Sequence, residues 1–157
     1  MEFYLSTQME SGRHDTVGGW AKRCYFAGRA VMDATLRPYG LGSTQWYVLY
    51  HLANEGSTRQ SDLLRSLHIE RASMSGVVAT LQRKGLINQV QAADDQRQKC
   101  LRMTAAGTKL WGELPDLRPV VTQAFDGIDA DDLATTLRVL SQATEQLDRL
   151  LKKGNIA

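Results

Sequence analysis

The chain has 157 residues, a net charge of +2 and 43% hydrophobic residues, which is the composition of an ordinary globular protein. It contains neither an apolar run of about 20 residues nor a charged-then-apolar leader at its N-terminus, so we expect a cytoplasmic protein without membrane contact. The two cysteines, Cys24 and Cys100, lie far apart and lack the Cys/His spacing of a zinc site, so we expect free thiols, no metal and no cofactor.

The sequence opens on an irregular segment followed by two helices. Residues 1–16 show no sustained period and are expected to form an arm. From Val17 onward, apolar residues recur at spacings of three and four, which predicts an amphipathic helix. This helix should end near Arg37, because Pro38 disfavours helix in the residue before it. A second helix is predicted over residues 43–54.

Two shorter helices are predicted next. The run Ser57–Gln60 has the pattern of a capping box and predicts the start of a third helix, which extends through Leu67. A fourth helix is predicted over residues 70–84 and should be ended by Gly85. The brief connection between these two helices is typical of a helix-turn-helix.

After the fourth helix the period changes from helical to alternating. Residues 86–90 and residues 99–103 each show the partial alternation of a short strand. The polar residues 91–98 separate them, with Asp94 and Asp95 near the middle. The pattern predicts a two-stranded hairpin with a charged tip.

Two helical segments complete the sequence. Thr104 is predicted to cap a helix of about 20 residues, which Pro115 and Pro119 kink or interrupt. A final helix is predicted to begin at Asp129. Its apolar stripe is narrow and favours packing against another helix; the stripe consists of Leu133, Leu137, Leu140, Thr144, Leu147 and Leu151.

Positive charge is concentrated in one segment of the chain. Residues 59–102 contain eight Lys/Arg and four Asp/Glu, so this segment carries +4 and the remainder −2. Such a segment suits a phosphate-facing surface, because each neutralised phosphate releases condensed counterions. A solvated basic face without a partner explains the same charge equally well.

The predicted elements together indicate a mainly α fold with a small β-hairpin wing, a winged helix-turn-helix. In this architecture the fourth helix enters the DNA major groove, while Val77, Val78 and Leu81 form its inward face. Met74 is expected to meet a thymine methyl group, and Arg97, oriented by Asp95, to enter a narrow minor groove. The predicted DNA-binding residues are Arg71, Ser73, Met74, Ser75, Thr80, Arg83, Asp95, Arg97 and Lys99.

Residues 41–107 resemble the winged-helix pattern of the MarR family. The strongest part of the resemblance combines Lys84-Gly85-Leu86-Ile87, Asp95-x-Arg97 and Thr104-x-x-Gly107, in order and without gaps. The resemblance implies a transcription regulator whose fourth helix is the recognition helix and whose hairpin is the wing. It further implies a homodimer that binds a pseudo-palindromic operator, with residues 1–40 as the arm and N-terminal dimerisation helix, 41–104 as the DNA-binding lobe and 105–157 as the C-terminal dimerisation helices.

Two glycines depart from the family pattern. Gly42 stands where the family usually has a threonine that caps the second helix, so Ser43 is expected to take over the cap. Gly76 stands on the recognition helix where a long polar side chain is common. Because glycine costs about 1 kcal/mol of helix propensity and offers no base contact, backbone contacts and DNA shape are expected to carry more of the affinity.

The resemblance also implies a small effector, often an aromatic acid, held between the dimer helices and the winged lobe. Aromatic side chains with a few polar groups would suit an aromatic carboxylate or its CoA thioester. For any one of these residues, a place in the core is the simpler interpretation, and for His51 a structural hydrogen bond. The candidate ligand-binding residues are Trp20, Arg23, Phe26, Arg29, Trp46, Tyr50, His51 and Trp111.

Three other functions compete with this one. Cys24 could sense oxidation, but its neighbours Arg23 and Tyr25 point to other helix faces, so we expect a buried, unreactive thiol. A helical protein-interaction module would explain the leucine stripe but not the charged hairpin. The sequence contains no phosphate loop, nucleophile elbow, metal-ligand spacing or clear carboxylate pair, so we do not expect an enzyme.

Overall fold

A computed structural model describes residues 16–69, 71–91 and 99–153 of the chain. The arm predicted for the first residues lies almost wholly outside these ranges. The chain divides into two compact units, one that ends at Val120 and one that begins at Val121. No helix within the described ranges is long and apolar enough to cross a membrane.

Four helices form the first half of the N-terminal unit. Helix α1 begins after Thr16, whose hydroxyl accepts a hydrogen bond from the amide of Gly19 at 2.9 Å, and a short 3-10 turn containing Pro38 follows it. The positions of α1, α2 and α4 agree closely with the periods found in the sequence. The bounds are α1 Val17–Leu36, the 3-10 turn Arg37–Tyr39, α2 Ser43–Glu55, α3 Gln60–Leu67 and α4 Arg71–Arg83.

The sheet has three strands, where the sequence predicted two. Strands β2 (Ile87–Gln91) and β3 (Lys99–Met103) pair antiparallel as the predicted hairpin. The additional strand β1 (Thr58–Arg59) pairs with the other edge of β3, which gives the order β1-β3-β2. The capping box predicted at Ser57 is therefore wrong: the backbone of residues 58 and 59 pairs with β3, and α3 begins only at Gln60 without a side-chain cap.

The helix after the sheet is interrupted. Thr104 caps it as predicted, accepting from the amide of Gly107 at 3.0 Å, and α5 (Ala105–Glu113) ends before Pro115. Helix α6 (Arg118–Gln123) follows. In the C-terminal unit, α7 (Ala130–Lys153) begins after Asp129, whose carboxylate accepts from the amide of Asp131 at 2.8 Å.

The hydrophobic core draws on every helix from α1 to α4, on the sheet and on the segment that follows α5. Leucines dominate it, as expected for side chains that fill space in well-defined rotamers. The most deeply buried large side chains are Leu36, Leu49, Leu63, Met74, Leu81, Leu101 and Leu117.

The start of α5 is joined closely to the turn that ends α4. Gly85 adopts a φ of +68°, the left-handed conformation that ends helices. The amide of Thr104 donates to the carbonyl oxygen of Leu86 at 3.0 Å, and its hydroxyl donates to the carbonyl oxygen of Gly85 at 2.6 Å. A Cβ atom on Gly107 would lie 2.1 Å from the carbonyl oxygen of Leu86, so only glycine fits there.

Candidate nucleic-acid interface

Helix α4 has a buried face formed by Met74, Val78 and Leu81. These residues stand at positions i, i+4 and i+7, which share one face of a helix. The expectation that Met74 contacts a thymine methyl is therefore wrong, because its side chain is 0% exposed and belongs to the core. Val77, expected to point inward, is half-buried against the same core.

Outside this buried face, α4 carries small, polar and cationic side chains. Arg71, Ser73, Ser75 and Arg83 are exposed there, and Thr80 is half-buried. The structure thus brings five of the predicted DNA-binding residues to one helix. A surface of this kind allows close approach to the edges of DNA bases and to phosphates.

The hydroxyl groups on α4 donate inward to the helix backbone. Ser75 Oγ donates to the carbonyl oxygen of Arg71 at 3.0 Å, and Thr80 Oγ1 donates to that of Gly76 at 2.9 Å. Arg83 in turn donates to Thr80 Oγ1 at 3.1 Å. Because its proton is engaged in the helix, the exposed Ser75 oxygen is left as an acceptor, whereas the Thr80 oxygen already accepts from Arg83.

A tight connection sets α3 before α4. His68 ends α3 with a φ of +49°, and the amide of Ile69 donates to the carbonyl oxygen of Leu64 at 3.4 Å. Leu63 is fully buried, and Leu64 and Leu67 pack against the core. Helix α3 therefore braces the turn that leads into α4, although Glu70 itself lies outside the described residues.

The structure describes the two strands of the hairpin but not the residues at its tip. Lys99 is exposed at the start of β3, opposite Gln91 of β2. Asp95 and Arg97 fall between residues 91 and 99, outside the described residues. Their predicted part in DNA binding stays a prediction.

Three of the candidate ligand-binding residues form a cluster of rings. Trp46 stacks on Tyr50 with ring centres 5.1 Å apart, and Trp111 of α5 lies 5.7 Å from Trp46 and 6.1 Å from Tyr50. Trp46 and Trp111 pack against the core, whereas Tyr50 is 44% exposed. The ring cluster therefore packs against the hydrophobic core on one side and is exposed to solvent on the other.

The candidate ligand-binding residues on α1 contact other residues of the same helix. The guanidinium of Arg23 lies 4.9 Å from the ring centre of Trp20, and Phe26 meets Tyr25 edge to face at 5.3 Å. Arg29 lies 3.9 Å from Asp33. His51, on α2, is half-buried.

An ion pair that was not predicted from the sequence joins Asp116 and Arg118. Arg118 donates to both carboxylate oxygens of Asp116, at 2.8 to 3.0 Å, which lowers the pKa of Asp116. The same bonds raise the pKa of Arg118. The Asp-x-Arg spacing is the signal that could have revealed the pair, since the same spacing occurs at the wing tip.

A second tyrosine lies on the other side of Trp46. The ring centre of Tyr47 is 5.2 Å from that of Trp46, and its hydroxyl donates to Met32 Sδ at 3.5 Å. Burial raises the pKa of the Tyr47 phenol, and the nearby Tyr25 adds to the increase. The phenol therefore stays neutral at pH 7 and acts as a hydrogen-bond donor.

The two cysteines differ in accessibility. Cys100 is buried in β3, as expected for a structural thiol. Cys24 is exposed on α1 of the single chain, so the expectation of a buried thiol there is wrong. The apolar stripe of α1 on which Cys24 lies is largely exposed, and only Met32 and Leu36 of this helix are buried.

A helix-turn-helix followed by an antiparallel hairpin defines the winged helix-turn-helix class of proteins. In a comparison with known protein families, residues 39–98 match the model of the MarR family. The winged helix-turn-helix of this chain is thus similar to that of MarR-family transcriptional regulators.

Solved structures of transcriptional regulators share this fold. A probable transcriptional regulator from Pseudomonas aeruginosa is 25% identical, with a TM-score of 0.70 over 82% of this chain and 97% of that one. BpsR from Bordetella bronchiseptica is 23% identical, with a TM-score of 0.70 over 84% of this chain and 95% of that one. A mutant MarR from E. coli, solved with operator DNA, is 17% identical, with a TM-score of 0.69 over 81% of this chain and 92% of that one.

Proposed function

We propose that the protein binds a pseudo-palindromic DNA operator as a homodimer and acts as a repressor. We further propose that a small aromatic acid or its CoA thioester releases it from the DNA. The observation that carries the DNA-binding proposal is the exposed surface of α4, where Arg71, Ser73, Ser75 and Arg83 are exposed while Met74 is buried in the core. The E. coli MarR mutant, which has the same fold, was solved with operator DNA.

The charge of the chain supports the same partner. Four cations described by the structure, Arg71, Arg83, Lys99 and Arg102, are exposed on α4 and on the strand that follows the tip. Cations on a surface of this kind gain affinity for duplex DNA by releasing its counterions. A dimer with two such lobes would contact half-sites about one helical turn apart, roughly 10 base pairs.

Binding to duplex DNA tests the proposal directly. Fluorescence anisotropy with a mixed-sequence duplex of about 30 base pairs, roughly three helical turns, should show affinity that falls steeply as salt is added. Absent binding, or binding that salt does not change, would favour the protein-interaction module instead. Sequence selection from a randomised duplex pool would then give the operator and show whether its halves are related by two-fold symmetry.

Placing a carboxylate on the exposed surface of α4 should abolish DNA binding. Ser75→Glu would set a negative charge against phosphate, and a drop of about 100-fold or more in affinity is expected. Gln146→Glu is the control, because Gln146 is also exposed and lies away from the leucine stripe of α7. Equal affinities of the two variants, measured by anisotropy, would show that another face contacts DNA.

The ring cluster supports the proposed effector. Trp46 and Trp111 offer a rigid aromatic wall, and Tyr50 is partly exposed beside them. The ring of an aromatic acid can stack on such a surface. In BpsR, 6-hydroxynicotinic acid regulates DNA binding.

A thermal-shift screen with benzoic acid, salicylic acid and benzoyl-CoA tests the effector proposal. A compound that binds the native state should raise the Tm, and Tyr50→Ala should reduce that increase. Tyr39→Ala is the control, because Tyr39 is similarly exposed but lies on the 3-10 turn. A Tm that none of the three compounds raises, or an increase that Tyr50→Ala leaves intact, would contradict the site.

A further inference from the structure

The end of the recognition helix α4 is tied to the corner between α1 and α2. Lys84, the residue after α4, donates from Nζ to Gln45 Oε1 at 3.2 Å and to the carbonyl oxygen of Gly40. These acceptors stand 39 and 44 positions earlier in the chain. The contacts therefore join distant parts of the lobe and do not merely stabilise one turn of helix.

The acceptors of Lys84 are themselves held in place. Gly40 takes a φ of +68° at the end of the 3-10 turn, and its amide donates to the carbonyl oxygen of Arg37 at 3.0 Å. Gln45 Oε1 also accepts from the amide of Gly42, at 3.4 Å. In addition, Asp33 of α1 accepts from the amide of Ser43 at 2.6 Å, which fixes the start of α2. The ammonium group of Lys84 thus bonds to a rigid corner.

The neighbouring cation is placed differently. Arg83 donates to Thr80 within its own helix, at 3.1 Å, and is exposed. Two adjacent exposed cations at the same helix end therefore have different partners: Arg83 bonds within α4, and Lys84 bonds across to the α1–α2 corner. Charge counting in the sequence treats the two as equal.

We propose that Lys84 is a positioning residue for DNA binding, which holds the C-terminal end of α4 against the α1–α2 corner and does not itself neutralise a DNA phosphate. This inference rests on the DNA-binding function proposed above. The buried residues Met74, Val78 and Leu81 fix the depth of α4, and Lys84 fixes where its last turn lies. A small tilt of a recognition helix moves its side chains relative to the groove, so removal of the Lys84 hydrogen bonds weakens binding.

Salt dependence separates positioning from phosphate contact. Lys84→Met keeps the length of the side chain and removes its donors, and it should weaken binding to a mixed-sequence duplex of about 30 base pairs by about five- to tenfold. The slope of log K against log salt concentration should equal that of the wild type. In the control Arg83→Met, the slope should fall by about 0.9 for each phosphate that Arg83 neutralises in the wild type.

Hydrogen exchange tests the role of Lys84 without DNA. The amides of residues 82–86 should exchange faster in Lys84→Met than in the wild type or in Arg83→Met, and Lys84→Arg should restore both exchange and affinity. A slope that falls in Lys84→Met as in Arg83→Met, an unchanged affinity or an unchanged exchange rate would overturn the inference. Failure of the wild type to bind duplex DNA would instead contradict the proposed function itself.

Discussion

At the scale of single residues, backbone geometry explains why two glycines stand where they do. Gly85 must adopt a positive φ to end α4, and Gly107 must let the backbone of Leu86 approach α5. Both belong to the motifs that carry the resemblance to the MarR family. The sequence shows Gly107 three residues after its cap, Thr104, but not the carbonyl oxygen of Leu86 that it faces, because that approach exists only in the folded chain.

Gly107→Ala should lower the free energy of unfolding by about 2 kcal/mol or more. The added Cβ would lie 2.1 Å from the carbonyl oxygen of Leu86, which is backbone and cannot move aside without shifting the joint between α4 and α5. Gly112→Ala on the same helix is the control, since a Cβ there meets nothing within 4 Å and should stabilise the helix by up to about 1 kcal/mol. Urea unfolding of both variants measures the difference, and similar stabilities would contradict the close approach.

At the scale of elements, the periodicity of the sequence predicted most helices. Two predictions were wrong: strand β1 was not predicted, and Met74 was placed on the DNA face. Strand β1 escaped prediction because Thr58 and Arg59 pair with a strand some 40 residues later, Leu101 and Cys100 being their partners. Met74 was predicted on the DNA face although its spacing to Val78 and Leu81 is that of one helix face. At 100° per residue, Met74 lies between Val78 and Leu81 on the helix surface, so the helical spacing itself places Met74 on the buried face.

The buried position of Met74 predicts a large difference between neighbouring alanine substitutions. Met74→Ala should lower the free energy of unfolding by about 2–4 kcal/mol, because it leaves a cavity in the core. Ser73→Ala, at the adjacent exposed position, should change it by no more than about 0.5 kcal/mol. Denaturation midpoints measure the stabilities of the two variants. A small effect of Met74→Ala would contradict the burial of Met74 and would favour its prediction as a DNA contact.

At the scale of the whole molecule, both units leave large apolar side chains exposed. On α1, Trp20 is 57% and Phe26 is 51% exposed, and on α7 Leu137 is 71% exposed. Exposed apolar surface of this extent marks interaction sites, and a second copy of the chain is the partner that a two-fold symmetric operator requires. The leucine stripe was visible in the sequence because its alternating spacings of three and four are those of helix pairs. The partner itself is not encoded in any local pattern, so the homodimer stays a proposal.

A single charge in the leucine stripe of α7 tests whether the stripe joins two chains. Leu147 is 61% exposed in the single chain, so Leu147→Asp should leave the protomer folded. In a dimer it would bury a carboxylate without a partner, which costs several kcal/mol and should shift the protein to monomers in analytical ultracentrifugation. Gln146→Asp adds the same charge one position away from the stripe and should leave the dimer intact.

Because each lobe alone contacts only a half-site, Leu147→Asp should also weaken DNA binding far more than Gln146→Asp does. A Leu147→Asp protein that still sediments as a dimer would place the subunit contact elsewhere, whereas a monomer that binds DNA as tightly as the wild type would show that pairing of the lobes contributes nothing to affinity.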